Sequence, residues 1–237
     1  MNLQRLDKII SSQLNISRKL ARNDIHRGRV TVDGVTVRDT AFQVCADSAV
    51  IEYDGQAVSY KKFLYLVLNK PKGVLSASND KTRQTVVDLV PEPLRRPDLA
   101  PVGRLDRDTT GLLLITDDGA FAHKIISPKS GIFKKYRVLL DGSLTKETAE
   151  AFEKGITLTD GTQCLPARLE ILGESEAEVE ICEGKYHQIK RMFGTVGLGV
   201  NELCRIKIGG LALPEDLPVG FCRELTAEEL ENIVKIT

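Results

Sequence analysis

PVGRLDRDTTGLLLITDDG, residues 101–119, joins a charged segment to a strongly apolar one. Asp106 stands between Arg104 and Arg107, and the run GLLLITD, residues 111–117, follows closely. A short apolar run bounded by polar residues is typical of a buried strand. A carboxylate at the end of such a strand, flanked by guanidinium groups, stays ionised even when partly desolvated. Asp106 is therefore a candidate nucleophile or base, the alternative being a structural Asp–Arg pair.

Outward from this stretch, predicted strands and helices alternate without a regular repeat. The predicted strands are residues 63–69, 111–117, 135–141, 167–172, 176–182 and 202–209. The predicted helices are residues 118–126, 145–154, 187–196 and 226–235, the last opening on a capping box of Thr226 and Glu229. Because the strands fall into hairpin-like pairs, we expect an α+β fold with helices packed on an antiparallel or mixed sheet.

The first 60 residues are predicted to form a separate small α+β unit. Ser17 is a good N-cap for a helix that ends by Gly28, and the alternating valines around Asp33-Gly34 predict a hairpin. The polar residues 54–62 read as a linker, so we expect domains at 1–60 and 61–237. An earlier helix is predicted by an apolar stripe at helical spacing: Leu3, Leu6, Ile9, Ile10 and Leu14.

The overall charge is zero, with 33 basic and 33 acidic residues, which excludes a uniformly basic protein. This neutrality arises because the positive charge of some segments cancels the negative charge of others. Residues 61–93, 94–137 and 184–210 carry surpluses of +3, +4 and +4, whereas residues 138–183 carry −8. We therefore expect a basic cleft that binds a polyanion and an acidic far side.

Several classes of site are disfavoured by composition. The five cysteines form no CxxC pair and the three histidines are far apart, which argues against a disulfide framework or a metal centre. There is no Gly-rich phosphate loop and no dinucleotide fingerprint, so the case for a cofactor is weak at this point. Because the chain lacks both a long apolar run and a signal-like N-terminus, we expect a cytoplasmic protein without a membrane span. We also expect a monomer.

The segment RLDKIISSQLNISRKLARNDIHRGRVTVDGV, residues 5–35, resembles the alpha-L (S4-type) RNA-binding module. Residues 15–38 carry a surplus of four positive charges, which suits a phosphate backbone, although charge alone would also fit a solvated face. The resemblance covers nearly all of residues 1–60. It implies RNA contacts by Ser17, Arg18, Lys19, Arg22, Arg27 and Arg29.

Four further segments resemble the motifs of the RsuA-type pseudouridine synthases, in the order in which that family carries them. They are LNKPKGVLS (68–76), GRLDRDTTGLLLITDDG (103–119), KKYRV (134–138) and GKYHQIKRMF (184–193). The resemblance implies a pseudouridine synthase domain that isomerises a uridine in RNA without cofactor or metal. It also implies that Asp106 is the catalytic group, that Tyr136 stacks on the uracil, and that Lys190 forms an ion pair with Asp106.

Other roles follow from the same resemblance. Arg104 is expected to assist base flipping, and Lys70 and Lys72 to contact phosphates. Asp108 and His187 remain alternatives for the acid–base chemistry. The form YHQIKRMF resembles the enzymes that act on small-subunit (16S) ribosomal RNA; a 23S substrate is the alternative. A non-catalytic ribosome-assembly factor or a two-carboxylate hydrolase would be a different class of protein.

Overall fold

The computed structural model describes residues 3–235. It has two compact units. The first comprises the chain up to Leu64 together with Glu92–Asp98, and the second comprises Tyr65–Pro91 and the chain from Leu99 onward. The predicted division at residues 60 and 61 did not anticipate that Glu92–Asp98 belongs to the first unit. Both units mix helices and strands, which confirms the α+β class.

As far as the described residues go, the first unit contains two α-helices, a 3₁₀ turn at Glu92–Leu94 and two small sheets. β1 pairs with β4, and a second sheet has the order β3-β2-β5-β6. Asp33 and Gly34 join β2 to β3 with φ angles of 50° and 78°, as a two-residue hairpin turn requires. The bounds are β1 (Leu3–Arg5), α1 (Leu6–Gln13), α2 (Arg18–His26), β2 (Val30–Val32), β3 (Val35–Thr36), β4 (Gln43–Cys45), β5 (Ile51–Tyr53) and β6 (Gln56–Ala57).

The local helix signals of this unit were predicted well, with one exception. The Ser17 side chain accepts a hydrogen bond from the backbone N–H of Leu20 and caps α2, as predicted. Leu6, Ile9 and Ile10 are fully buried on α1. Leu3 was wrongly placed on this stripe, because it lies in β1 and is 61% exposed. The pairing of β1 with β4, which is distant in sequence, overrides the helical spacing.

The second unit contains a nine-stranded mixed sheet. Its main path is β11-β12-β10-β13-β9-β7-β15, with β8 on β9 and β14 on β13. The pair β13–β9 is parallel and the others are antiparallel. The strands are β7 (Tyr65–Lys70), β8 (Ala100–Pro101), β9 (Thr110–Thr116), β10 (Lys134–Leu140), β11 (Arg168–Ile171), β12 (Glu176–Ile181), β13 (Val200–Ile208), β14 (Leu211–Ala212) and β15 (Cys222–Glu224).

The helices of the second unit match the predicted ones closely. The Asp118 side chain caps α3, and Thr226 and Glu229 form the predicted capping box of α6. Both signals are local, which explains why the sequence revealed them. The helices are α3 (Gly119–Ile126), α4 (Lys146–Lys154), α5 (Gln188–Thr195) and α6 (Ala227–Ile233), with 3₁₀ turns at Val87–Leu89 and Pro128–Ser130. None of the helices within residues 3–235 is long and apolar enough to cross a membrane.

Part of the acidic surplus of residues 138–183 lies on β12, at alternating positions of the strand. Glu178 and Glu180 stand opposite Arg137 and Lys135 of β10, whereas Tyr136 stands opposite Val179. Since residues directly opposite each other share one face of a sheet, these glutamates lie on the face away from Tyr136. Lys135 donates a hydrogen bond to Glu178 at 3.0 Å.

Gly111 brings β9 close to β13 at the centre of the sheet. Its φ is +93°, and a Cβ placed there would lie 2.3 Å from the carbonyl oxygen of Arg205. Only glycine meets both conditions. This contact fixes the start of β9, and with it the GRLDRDT loop that precedes the strand.

Candidate active site

The loop before β9 is held by the segment that follows β7. Ser76 accepts a hydrogen bond from the Leu105 amide at 3.1 Å and donates one to the Leu105 carbonyl at 2.9 Å. The Gly73 amide donates to the Arg107 carbonyl at 2.7 Å, and the Arg107 side chain donates to the Gly73 carbonyl at 3.0 Å. These reciprocal bonds bracket Asp106 on both sides and give it a fixed position. The first motif, LNKPKGVLS, thus supports the candidate catalytic loop.

Lys70 also supports the candidate catalytic loop. Its predicted role as a phosphate contact is therefore wrong. Its side chain is fully buried. The Nζ atom donates to the carbonyl oxygens of Pro71, Arg107 and Thr109 at 3.1, 3.3 and 2.9 Å. Burial lowers the pKa of Lys70 to about 8, against the opposing effect of the nearby carboxylates. Lys72, in contrast, is exposed.

Asp106 lies within the loop that precedes β9, and its side chain is 26% exposed. The Nε2 atom of His187 is 3.5 Å from Oδ1, and the Nζ atom of Lys190 is 3.7 Å from Oδ2. Both neighbours belong to the segment at the start of α5, which the fold places beside the loop that precedes β9. The carboxylate therefore has a cation on one oxygen and an imidazole on the other, and remains open to a ligand.

Lys190 is shared between two carboxylates. Its Nζ atom donates to Oδ1 of Asp108 at 2.5 Å, a closer contact than its ion pair with Asp106. The hydrogen bond from Lys190 is the main reason that the pKa of Asp108 lies below its usual value. Asp108 is 57% exposed at its side chain, so it lies further out than Asp106. The structure thus brings Asp106, Asp108 and Lys190 together, and Asp106 is the more enclosed of the two carboxylates.

Tyr136 lines the same pocket as Asp106 and Lys190. It is 9% exposed and stands opposite Arg205 of β13, at a point where the register shifts between Lys135 and Tyr136. The Arg205 side chain donates to the Leu112 carbonyl at 2.7 Å, and a second nitrogen lies 3.4 Å from the Tyr136 hydroxyl. Arg205 is the site residue that sequence reasoning missed, because its position beside Tyr136 depends on a strand pairing distant in sequence.

A second buried cation lies close to Arg205. Lys134 is 7% exposed, and burial together with the nearby Arg205 charge lowers its pKa to about 8. Within residues 3–235, three buried polar side-chain atoms have no hydrogen-bond partner: Lys134 Nζ, Arg205 Nη2 and Thr109 Oγ1. The floor of the site is therefore positively charged, and some of its polar atoms lack hydrogen-bond partners. Unpartnered buried atoms of this kind lower the stability of the fold.

Lys70 and Lys134 should respond oppositely to replacement by Met. Lys70→Met leaves buried carbonyl oxygens without a donor, so the free energy of unfolding should fall by about 1–3 kcal/mol. Lys134→Met removes an unpartnered buried cation, so stability should stay equal or rise by about 1–2 kcal/mol. Urea unfolding of the full chain at pH 7, followed by circular dichroism, measures both. Equal destabilisation by the two variants would contradict the assignment.

The pH dependence provides a second measurement on the same two variants. For each lysine the folded-state pKa, about 8, lies below the usual 10.5. The unfolded chain therefore binds more protons between these values, and stability should rise as pH increases from about 8 to 10.5. Below pH 8 the full cost of the buried charge is present. Lys134→Met should reduce the slope of stability with pH without removing it, because Lys70 remains.

An open groove of about 950 Å³ leads to Asp106. Arg104 and Arg107 lie on its wall, together with Arg83 and Lys185, whereas Asp80 and Asp106 are the carboxylates that line it. Cations therefore outnumber acids there, as the expected basic cleft requires. Arg104 lines both this groove and the pocket of Asp106, which places it at the entrance.

The predicted RNA contacts of the first unit are all exposed: Ser17, Arg18, Lys19, Arg22, Arg27 and Arg29. Three of these arginines also bind carboxylates. Arg18 and Arg22 donate to the buried Asp7, and Arg29 donates to Asp24 and Asp54. Their guanidinium groups are thus held in position on the surface of the unit.

The chain matches two family models. The RNA pseudouridylate synthase model matches residues 64–195, and the S4 domain model matches residues 4–50. The chain belongs to the pseudouridine synthase family. The GRLDRDT loop, the Tyr136 strand and the start of α5 all lie within the first match, so the geometry described above is that of the family's catalytic domain.

Relatives extend this assignment over almost the whole chain. The ribosomal small subunit pseudouridine synthase A of Escherichia coli (strain K12) is 43% identical over 97% of this chain and 100% of its own. An uncharacterised RNA pseudouridine synthase of Bacillus subtilis (strain 168) is 40% identical over 95% of this chain and 96% of its own. A crystal structure of a pseudouridylate synthase is 36% identical and superposes with a TM-score of 0.69 over 97% of this chain and 99% of its own.

Proposed function

We propose that this chain converts one uridine of 16S ribosomal RNA into pseudouridine, with Asp106 as its catalytic group and without a cofactor. The observation that carries the proposal is the fixed carboxylate of Asp106 at the inner end of a cationic groove. Near full-length similarity to synthases named for the small ribosomal subunit supports the choice of RNA. The reaction would take place in the cytoplasm, on a monomeric enzyme.

The reaction is an isomerisation, so its atoms balance without a co-reactant. The N1–C1′ bond of the uridine breaks, the detached uracil turns, and its C5 atom bonds to C1′. The C5 hydrogen leaves as a proton and N1 gains one. Asp106 would either attack C1′ or remove the 2′ proton, and an ionised carboxylate suits both steps.

The neighbours of Asp106 have distinct proposed roles. Lys190 orients the carboxylate, as a point charge shared with Asp108. Tyr136 stacks on the uracil from the floor of the pocket. Arg104 occupies the entrance and assists extrusion of the target base from its stack. Lys72 and the exposed residues of the first unit, Ser17, Arg18, Lys19, Arg22, Arg27 and Arg29, contact the RNA backbone.

The test uses transcripts of 16S and 23S RNA labelled with tritium at uridine C5. Tritium release measures turnover, and carbodiimide-blocked primer extension locates the product. Each RNA is supplied naked and with ribosomal proteins bound, because either form could be the substrate. We expect one pseudouridine in 16S RNA. Product in 23S RNA alone would mean that the substrate is 23S RNA and not 16S RNA. Release of free uracil would indicate a hydrolase.

A further inference from the structure

Tyr186 is exposed to an unusual degree for a tyrosine beside an active site. Its side chain is 71% exposed, more than any other large hydrophobic residue among residues 3–235. Its ring stacks on the imidazole of His187, with centroids 3.9 Å apart and planes inclined by 18°. One face of the phenol is therefore covered by His187, while most of the ring remains accessible. Because Tyr186 also lines the groove that leads to Asp106, its accessible ring faces a ligand bound there.

The turn that carries this stack is rigidly built. His187 has a φ of 48°, a left-handed conformation that is costly for a residue other than glycine. Gln188, buried at the start of α5, holds the turn: its side chain accepts from the Lys185 amide at 2.9 Å and donates to Glu183 at 2.8 Å. The fold thus fixes the backbone that presents Tyr186 to solvent.

The stack extends outward from the candidate catalytic carboxylate. Nε2 of His187 is 3.5 Å from Oδ1 of Asp106, and Tyr186 lies on the imidazole face. Both rings line the groove, together with Arg83, Arg104 and Arg107. A ring at this place lies beside the position that the target uridine would occupy, with cations nearby for the flanking phosphates.

We infer that Tyr186 stacks on an unpaired nucleobase that flanks the target uridine. This inference rests on the proposed function, because it assumes that a uridine reaches Asp106. Proteins recognise unpaired RNA largely by stacking its bases on aromatic rings, which are tolerant of base identity. The His187 ring supports the inner face of Tyr186, so the base would extend an existing stack. The substrate must then present a single-stranded base next to the uridine.

The first test is a kinetic comparison of variants by tritium release from the full-length RNA. Tyr186→Ala should raise KM by about 5- to 150-fold, the range found when one base–aromatic stack is removed, with kcat nearly unchanged. Tyr186→Phe should retain the wild-type KM, and Tyr186→Leu should resemble the Ala variant. Phe221→Ala is the matched control, because Phe221 is 63% exposed and does not line the groove; it should have no effect.

The second test combines these variants with RNAs that carry one abasic nucleotide near the target. At one flanking position the abasic RNA should weaken wild-type binding as much as Tyr186→Ala does, and the combination should cause no further loss. Strict additivity at every flanking position would overturn the inference. So would a fall in kcat at constant KM, which would mean that Tyr186 only positions His187. If the wild-type enzyme releases no tritium, the proposed function fails instead.

Discussion

Asp106→Asn is expected to lower kcat by about 10³-fold or more while leaving RNA affinity nearly unchanged. The amide has almost the same shape as the carboxylate, so it should keep the loop bonds made through Leu105 and Arg107. It lacks the negative charge that attack on C1′ or removal of the 2′ proton requires. Tritium release gives the rate, and filter binding gives the affinity.

Asp108→Asn is the matched control for Asp106→Asn. Asp108 bears the same functional group two residues away and bonds the same lysine, at 2.5 Å. Its side chain is 57% exposed, so its replacement should change kcat by less than about tenfold. If Asp108→Asn abolished turnover and Asp106→Asn did not, the catalytic role would pass to Asp108. Melting temperatures equal to that of the unsubstituted chain would exclude unfolding as the cause of a loss in either variant.

Sequence reasoning succeeded where the physical signal is local. The Asp33-Gly34 hairpin, the Ser17 cap and the Thr226–Glu229 capping box each depend on residues within a few positions of one another. The apolar run of β9 likewise identified a buried central strand. In these cases the side chains and the backbone they bond are neighbours in the chain, so the pattern determines the structure.

The same reasoning failed where burial or pairing is set by distant parts of the chain. Lys70 and Lys72 are alike in sequence, yet only Lys70 points into the protein to bind carbonyl groups of the catalytic loop. Arg205 meets Tyr136 through a shifted register between β10 and β13. Asp7 was not singled out from the sequence, although it is fully buried among three arginines. Charge is visible in a sequence, whereas its burial is not.

Asp7→Ala should strongly destabilise the first unit. Asp7 accepts hydrogen bonds from Arg5 at 3.1 Å, from Arg18 at 3.1 Å and from Arg22 at 2.8 Å. These bonds join the start of α1 to α2. Removal of the carboxylate leaves three arginines that repel one another around a cavity. Since these arginines are half exposed and can be hydrated, we expect a loss of about 2–4 kcal/mol.

The pH dependence of this unit should have the same origin. Burial alone would raise the pKa of Asp7, but the hydrogen bonds from Arg5, Arg22 and Arg18 outweigh it and hold the pKa well below its usual range. The contribution of Asp7 to stability is then complete above the unfolded-state pKa, 3.8, and declines as pH falls below that value. Asp7→Ala should lack this decline, since it has no carboxylate to protonate.

Amide hydrogen exchange of the full-length protein, followed by mass spectrometry, measures the loss where it occurs. Peptides from α1 and α2 should exchange faster in Asp7→Ala, and peptides from β9 should be unchanged and serve as an internal reference. Asp54→Ala is the matched control, because Asp54 also bonds an arginine, Arg29, but its side chain is 45% exposed. Because an exposed ion pair contributes little to stability, its loss should have a much smaller effect than the loss of Asp7. Equal exchange in the two variants would mean that burial adds nothing to the Asp7 cluster, and Arg18 and Arg22 would then owe their positions to α2 alone.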